Sequence, residues 1–272
     1  MQNLILFTYF CNFSLQKYNV LSTSHNTISI GKVFFHFSEL VSTNEHSNIL
    51  LSKSNPIEGT VISADFQTKG RGQVGSKWES EAEQNVLASA IIYPQFLDLQ
   101  AAFYLNKAVS LAVLDLLKPL VQGVSIKWPN DIYIGSKKVA GILIQNALQS
   151  GKIQHSIVGI GLNINQLKFS ETLPKATTLA IATGRTYDLS DIRTQLWMHL
   201  SNRLTQLKNL QFAELDRAYL DSLYQLAEKK QYQGKDGELF EGIIKNVLPN
   251  GHLVVSIEGR ENLFDIKEIT FL

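Results

Sequence analysis

The chain has 272 residues, 44% hydrophobic and 18% charged; this is a globular chain of about two domains at ~150 residues each, and disordered and fibrous classes are excluded. Twenty-five Lys and Arg against 24 Asp and Glu leave a net charge of +1, which gives no electrostatic ground for a nucleic-acid binder. The single cysteine, Cys11, allows neither an intrachain disulfide nor a thiolate cluster and suits a reducing compartment.

In chain order, Leu4 to Phe13, LILFTYFCNF, has the look of an address signal. No Lys or Arg precedes it, Lys17 being the first, and it is shorter than the ~20 residues a spanning helix needs. A cytoplasmic protein without membrane association is the expectation. Residues 1–32 turn polar and Ser/Asn-rich after Phe13 and read as a loosely attached extension whose role the sequence does not disclose.

Regular patterning begins at Val33. VFFHF predicts a strand, and the segment from Ser42 predicts a helix with capping-box spacing between Ser42 and Glu45. Gly59 to Phe66 and Asn85 to Tyr93 predict buried strands on either side of a glycine-rich loop. Ala101 to Leu120 is apolar on nearly every side, as a helix buried against a sheet must be. VSIKW leads through Pro129-Asn130-Asp131 into DIYI, and Gly135-Ser136 turns the chain into KKVAGILIQN, which predicts a hairpin. Ile153 to Asn165 predicts a further strand. After a loop to Tyr187, Ile192, Leu196, Leu200, Leu204 and Leu207 recur at helical spacing with Ser190 as the expected N-cap. A second amphipathic helix is predicted from Phe212 to Tyr224. From Gln231, short alternating strands separated by Gly and Pro predict a small barrel-like β domain, with a core of its own, appended to an α+β body.

Three constellations carry chemistry. In QTKGRGQVGSKW, Gln67 to Trp78, Gly70, Gly72 and Gly75 let the backbone pass close to a ligand, while Arg71 and Lys77 supply cationic donors for an anion. The spacing fits neither standard phosphate fingerprint, and a solvated turn is the alternative. In KWPNDIYIGSKKVAGIL, Lys127 to Leu143, Asn130 and Asp131 stand at a strand end, either as a self-bonded tight turn or as an amide and a carboxylate facing a pocket. Lys137 and Lys138 would be a solvated hairpin tip unless the Gly/Arg loop lies nearby. In GIGLNIN, Gly159 to Asn165, glycine within a strand signals close approach by a backbone or a ligand.

Taken in order, Ser42-Thr43-Asn44, Q-T-x-G-R-G from Gln67, K-W-P-N-D from Lys127, K-x-x-G-I-L from Lys138 and G-x-G-x-N-x-N from Gly159 resemble the biotin protein ligases, from about Val33 to the C-terminus. The resemblance implies an α+β fold: a mixed-sheet core of the class II synthetase-like biotin/lipoate ligase type, with a small C-terminal SH3-like β-barrel domain. Residues 33–226 would then form the catalytic biotin/ATP-binding domain and 227–272 the small β domain. Biotin would be activated with ATP and Mg2+ to biotinyl-5′-AMP and passed to a lysine of a biotin carboxyl carrier domain, from acetyl-CoA carboxylase or a related carboxylase.

By the same resemblance, Arg71, Lys138 and Asp131 are the catalytic residues. Ser42, Thr43, Asn44, Gln67, Gly70, Arg71, Gly72, Gln73, Lys138 and Gly159 would bind biotin. Arg71, Gln73, Trp78, Asn130, Lys138 and Asn163 would hold the nucleotide. Asp131 has two open roles, as the base that takes the acceptor lysine's proton or as a magnesium ligand, and no residue is assigned to a metal with certainty. Gln73 and Ser76 stand where family members frequently carry arginine, which leaves open how tightly the adenylate is held. Only 32 residues precede Val33, read as too few for the DNA-binding domain of the bifunctional members. No DNA partner is expected, and homodimerisation is open. The rivals are a lipoate ligase or octanoyltransferase and, in a different class, a biotin-responsive transcription regulator.

Overall fold

The computed structural model describes residues 27–73 and 76–272. The address-signal reading of Leu4 to Phe13, Cys11, Lys17 and the loop glycine Gly75 therefore fall outside the described residues. The elements run β1 (Phe34–Leu40), α1 (Thr43–Lys53), β2 (Val61–Gln67), β3 (Val86–Ile92), α2 (Phe103–Leu117), β4 (Val124–Lys127), β5 (Asp131–Ile134), β6 (Lys137–Gln149) and β7 (Lys152–Leu162). Then come α3 (Leu179–Thr183), α4 (Leu189–Lys208), α5 (Phe212–Leu220), β8 (Lys229–Gly234), β9 (Leu239–Val247), β10 (Leu253–Ile257), β11 (Arg260–Phe264) and β12 (Ile269–Phe271).

Seven strands make one mixed sheet in the order β1-β2-β3-β7-β6-β5-β4, with β1 and β2 parallel and the other neighbours antiparallel. Helix α2 packs on β4, β5, β6 and α4, while α1 packs on β2, β3 and β7. Covered on both faces, β3 is buried at every position, and its sequence is accordingly a continuous apolar run broken by a serine. The predicted stripe on α4 is the buried one: Ile192, Leu196, Leu200, Leu204 and Leu207.

Three local expectations change. Ser42 holds the N-cap position of α1 but its side chain makes no cap bond, and the Glu45 carboxylate is engaged by the Arg71 guanidinium at 2.8 Å. The N-cap of α4 is Asp188, which accepts from Ser190 N at 2.6 Å and Asp191 N at 3.3 Å; its carboxylate also meets the positive end of the helix dipole. The strand predicted to Asn165 ends at Leu162, since Asn165 turns away to exchange bonds with the Tyr187 backbone.

Of the extension, residues 27–32 are held firmly. Ile28 and Ile30 are buried, and their N–H groups donate to Thr205 Oγ1 and Ser201 Oγ of α4, both at 2.9 Å. At the other end, β8 to β12 form an antiparallel sheet in the order β11-β10-β9-β8-β12, consistent with the SH3-like expectation. The aromatic cluster of Tyr232, Phe240, Phe264 and Phe271 lines it. Its apolar residues are nevertheless continuous with those of the larger body. Trp128 Nε1 donates to Gly251 O at 2.9 Å, and the buried Lys107 Nζ donates to Val247 O at 2.9 Å, so the module does not have the separate core expected of it. Among the described residues, no helix is long and apolar enough to cross a membrane.

Candidate active site

Strand register assembles the site. Two rows of cross-strand partners traverse one face of the large sheet: Ile62, Ser89, Gly159 and Leu143, then Ala64, Leu87, Gly161, Gly141, Asp131 and Lys127. Paired residues share a face, so Gly159, Gly161 and Gly141 together become a hollow in the sheet surface. A Cβ on Gly159 would come 2.2 Å from Asn44 Oδ1, and one on Gly161 would come 2.4 Å from Trp78 Cε2. Only glycine permits those approaches. Above this floor opens a cleft of about 390 Å3.

The β2–β3 end of the cleft is neutral and rich in hydrogen-bonding groups. Gln67 Oε1 accepts from Thr43 N at 2.7 Å and from Thr43 Oγ1 at 3.1 Å. Ser89 Oγ lies 2.7 Å from Thr43 Oγ1 and 2.6 Å from Asn44 Oδ1, and Asn44 Nδ2 donates to Gln145 Oε1 at 3.1 Å. With its oxygen taken, the Gln67 side chain keeps its NH2 donors for another partner. Ser42, Thr43, Asn44 and Ser89 are all buried, so this end is rigid and built before any ligand arrives.

The β6–β4 end is charged. Lys138 Nζ lies 2.6 Å from Asp131 Oδ1 and 5.7 Å from the Trp78 ring centroid. A bulge shifts the β5–β6 register between Ile132 and Tyr133; by simple alternation Lys137 would share the face of Gly141, and the bulge puts Lys138 there instead. Lys127 Nζ donates to Tyr133 Oη at 3.2 Å. Burial pulls the Lys127 amine below the ordinary lysine range, with Asp131 pulling it back up, and burial beside Asp131 pushes the Tyr133 phenol up to about 12. Asn130 lines the cleft, but its amide donates to the Ile142 carbonyl while Ile142 N returns a bond at 3.0 Å. It therefore clamps β6.

The Gly/Arg loop crosses between the two ends. Trp78 N bonds Gly70 O at 3.0 Å and Gly72 N bonds Ser76 O at 3.0 Å, which folds the loop back on itself and carries Arg71, Gln73 and Trp78 to the lining. The Trp78 Nε1 donor is buried without a partner among the described residues, an unmet donor on the cleft wall that suits an acceptor atom of a ligand.

Of the residues expected from sequence, Ser42, Thr43, Asn44, Gln67, Arg71, Gly72, Gln73, Trp78, Asn130, Asp131, Lys138 and Gly159 line this one cleft. Gly70 lies behind the lining, against the Trp78 carbonyl. Asn163 is buried beside β6 and donates to Thr177 O at 3.1 Å; it too is not on the lining. Sequence reasoning missed Ser89, Gln145 and Glu45 as partners, Lys127, and Ile266, Lys267, Ile269, Thr270 and Phe271, which the C-terminal module adds to the wall. The polar Ser89 inside an otherwise apolar strand was a usable signal. Nothing local marks the module's contribution.

The large mixed sheet thus carries a glycine-floored cleft, neutral at one end and cationic at the other. Residues 37–163 match the model of the Biotin/lipoate A/B protein ligase family. It is similar to the bifunctional ligase/repressor BirA of Bacillus spizizenii, 32% identical over 167 residues that cover 57% of this chain and 49% of that protein. The biotin–[acetyl-CoA-carboxylase] ligase of Mycobacterium tuberculosis is 28% identical over 235 residues, 85% of this chain and 86% of that one. Among solved structures, the biotin protein ligase from Aquifex aeolicus in complex with biotin and ATP superposes with a TM-score of 0.70 at 29% identity, covering 88% of this chain and 98% of that chain. The chain spans about half the length of the Bacillus relative.

Proposed function

We propose that the chain is a biotin protein ligase: it activates biotin with ATP to biotinyl-5′-AMP, releasing pyrophosphate, and transfers the biotinyl group to one lysine of a biotin carboxyl carrier domain. One observation carries this reading: a single cleft joins a rigid neutral end to a cationic end across a glycine floor. A ureido ring has one acceptor and two donors and suits the Thr43, Asn44 and Gln67 end. A carboxylate attacking an α-phosphate brings two anions together, and Arg71 and Lys138 lie where both can be neutralised.

In the free protein these two cations are held by Glu45 and Asp131, so each is positioned before the anions arrive. After adenylation, Lys138 passes to the acyl phosphate. Asp131 is then free to take the proton from the incoming lysine, whose ordinary pKa of ~10.4 keeps it charged at neutral pH. Among the described residues no group of three or more His, Cys, Asp or Glu could hold a metal ion, and Asp131, the carboxylate on the lining, is occupied by Lys138. Magnesium enters this reading as the companion of the ATP phosphates. The acceptor is a carboxylase carrier domain and the setting cytoplasmic. Biotin-dependent exchange of labelled pyrophosphate into ATP by the purified chain is the test. We expect exchange with biotin and none with lipoate; no exchange, or equal exchange with lipoate, overturns the assignment.

A further inference from the structure

Behind the neutral end of the cleft stands a side chain that no ligand needs to touch. Gln145 lies on β6 two residues past Leu143, and so on the same face of the sheet. Neither it nor Ser89 is part of the cleft lining, whereas Thr43, Asn44 and Gln67 are. Gln145 Oε1 accepts from Asn44 Nδ2 at 3.1 Å, and the Leu143 carbonyl lies 3.5 Å from the same nitrogen. A backbone carbonyl only accepts, so Leu143 O sets the sense of the Asn44 amide, nitrogen toward β6 and oxygen toward Ser89. At 3.5 Å that contact is weak, and the Gln145 oxygen supplies the shorter bond that holds the sense.

A chain of single protons follows from this sense. An amide oxygen cannot donate, so Ser89 gives its one hydroxyl proton to Asn44 Oδ1 at 2.6 Å. Ser89 Oγ is left with lone pairs toward Thr43 Oγ1 at 2.7 Å, a separation at which two hydroxyl oxygens have a proton between them. The Thr43 proton supplies it, shared with Gln67 Oε1 at 3.1 Å. That proton is thus used inside the protein, and Thr43 Oγ1 faces the cleft with lone pairs beside the Gln67 NH2. Thr43, Asn44 and Ser89 are buried, so bulk water does not compete for these protons. With the Asn44 amide turned over, Ser89 would aim its proton at Thr43, and the Thr43 proton would be free to turn into the cleft.

We propose, resting on the ligase reading above, that Gln145 is a positioning residue for biotin: by holding the Asn44 oxygen toward Ser89 it directs the proton chain so that Thr43 Oγ1 accepts from a ureido N–H while Gln67 donates to the ureido carbonyl. The neutral end then selects a ring that carries an N–H next to its carbonyl. A ring with oxygen or sulfur at that place would set acceptor against acceptor.

The test uses the full chain with Gln145→Glu, which can only accept from Asn44, Gln145→Leu, which does neither, and Gln145→Lys, which can only donate. We expect the KM for biotin in pyrophosphate exchange to rise about fivefold for the Leu variant, the loss of one neutral hydrogen bond, and at least about tenfold for the Lys variant, which favours the turned amide. Gln145→Glu should recover most of the affinity lost in the Leu variant. The KM for ATP and the exchange rate at saturating biotin should stay within about twofold throughout. In ligand-free protein the side-chain amide protons of Asn44, read by 15N NMR, should keep their hydrogen-bonded shift in the Glu variant and lose it in the Lys variant. Unchanged biotin KM in the Leu and Lys variants overturns the proposal. So does a Glu variant as impaired as the Leu one, which would make Gln145 a packing residue only, or a KM for ATP that rises in step. A wild-type chain with no biotin-dependent exchange brings down the ligase reading, and the Asn44 amide signals, which need no substrate, then still decide whether Gln145 orients the network.

Discussion

Lys138 Nζ lies 2.6 Å from Asp131 Oδ1, and a bulge in β6 is what brings both side chains to one face of the sheet. Arg71 is held in the same way by Glu45 at 2.8 Å. The side chains are 34% and 54% exposed for Lys138 and Arg71, and ion pairs that open to water contribute under about 1 kcal/mol to stability. In the proposed reaction their value is in catalysis. We expect Lys138→Ala and Arg71→Ala each to lower pyrophosphate exchange about 100- to 1000-fold, as loss of a preorganised donor does, with thermal unfolding nearly unchanged. Near-normal exchange in both variants would show that neither cation meets the reacting anions.

The glycine floor makes a separable prediction. Gly159→Ala drives a methyl into Asn44 and Gly161→Ala drives one into the Trp78 ring, and overpacking of this kind costs about 1–3 kcal/mol. The first should raise the KM for biotin, and the second the KM for ATP together with a shift in tryptophan emission. Steady-state kinetics with each substrate in turn reads both effects. The same substrate profile from the two variants would mean that the cleft is not divided as described.

Gln73 lines the cleft and offers a neutral amide where an arginine would offer a guanidinium. A charge-assisted bond is about twice as strong as a neutral one. Gln73→Arg should therefore slow release of biotinyl-adenylate by up to about tenfold, equivalent to ~1.4 kcal/mol, without altering the preference for biotin. Rapid filtration with labelled biotin measures it, and equal or faster release would place residue 73 away from the adenylate.

Lys107 is 1% exposed and its amine lies 2.6 Å from the Asp216 carboxylate, which is 42% exposed. Removing the two partners is therefore unequal. Asp216→Ala strands a buried charge and should cost about 3–5 kcal/mol; Lys107→Met leaves a carboxylate that water can reach and should cost much less. Burial, partly opposed by Asp216, pulls the Lys107 amine below its ordinary 10.5, so between its folded value and 10.5 the unfolded chain binds more protons. Stability of the wild type relative to Lys107→Met should then rise as the pH climbs through that window. Urea denaturation of the two variants and the wild type at neutral and alkaline pH checks the ranking and the sign.

The amino-acid sequence by itself determined the elements and the chemistry of the motifs. The α4 stripe, the largely apolar run of β3 and the β5–β6 hairpin are periodicities and turn signals, and local sterics write those directly. The residues of the cleft were legible for the same reason: Ser42 to Asn44, Gln67 to Trp78 and Lys127 to Leu143 are contiguous motifs. Which groups would partner one another was not legible, because pairing is settled by competition across the fold. Glu45 pairs with Arg71 while Ser42 makes no cap bond, and Asp188 took the cap assigned to Ser190. The face on which Lys138 appears depends on a one-residue bulge that alternation does not encode. The C-terminal module has a clear β pattern, yet only the tertiary structure merges its core with α2 and brings Phe271 beside Lys127. Contacts between Lys127 and a residue 144 positions later arise from burying shared apolar surface, which has no local signature in the chain.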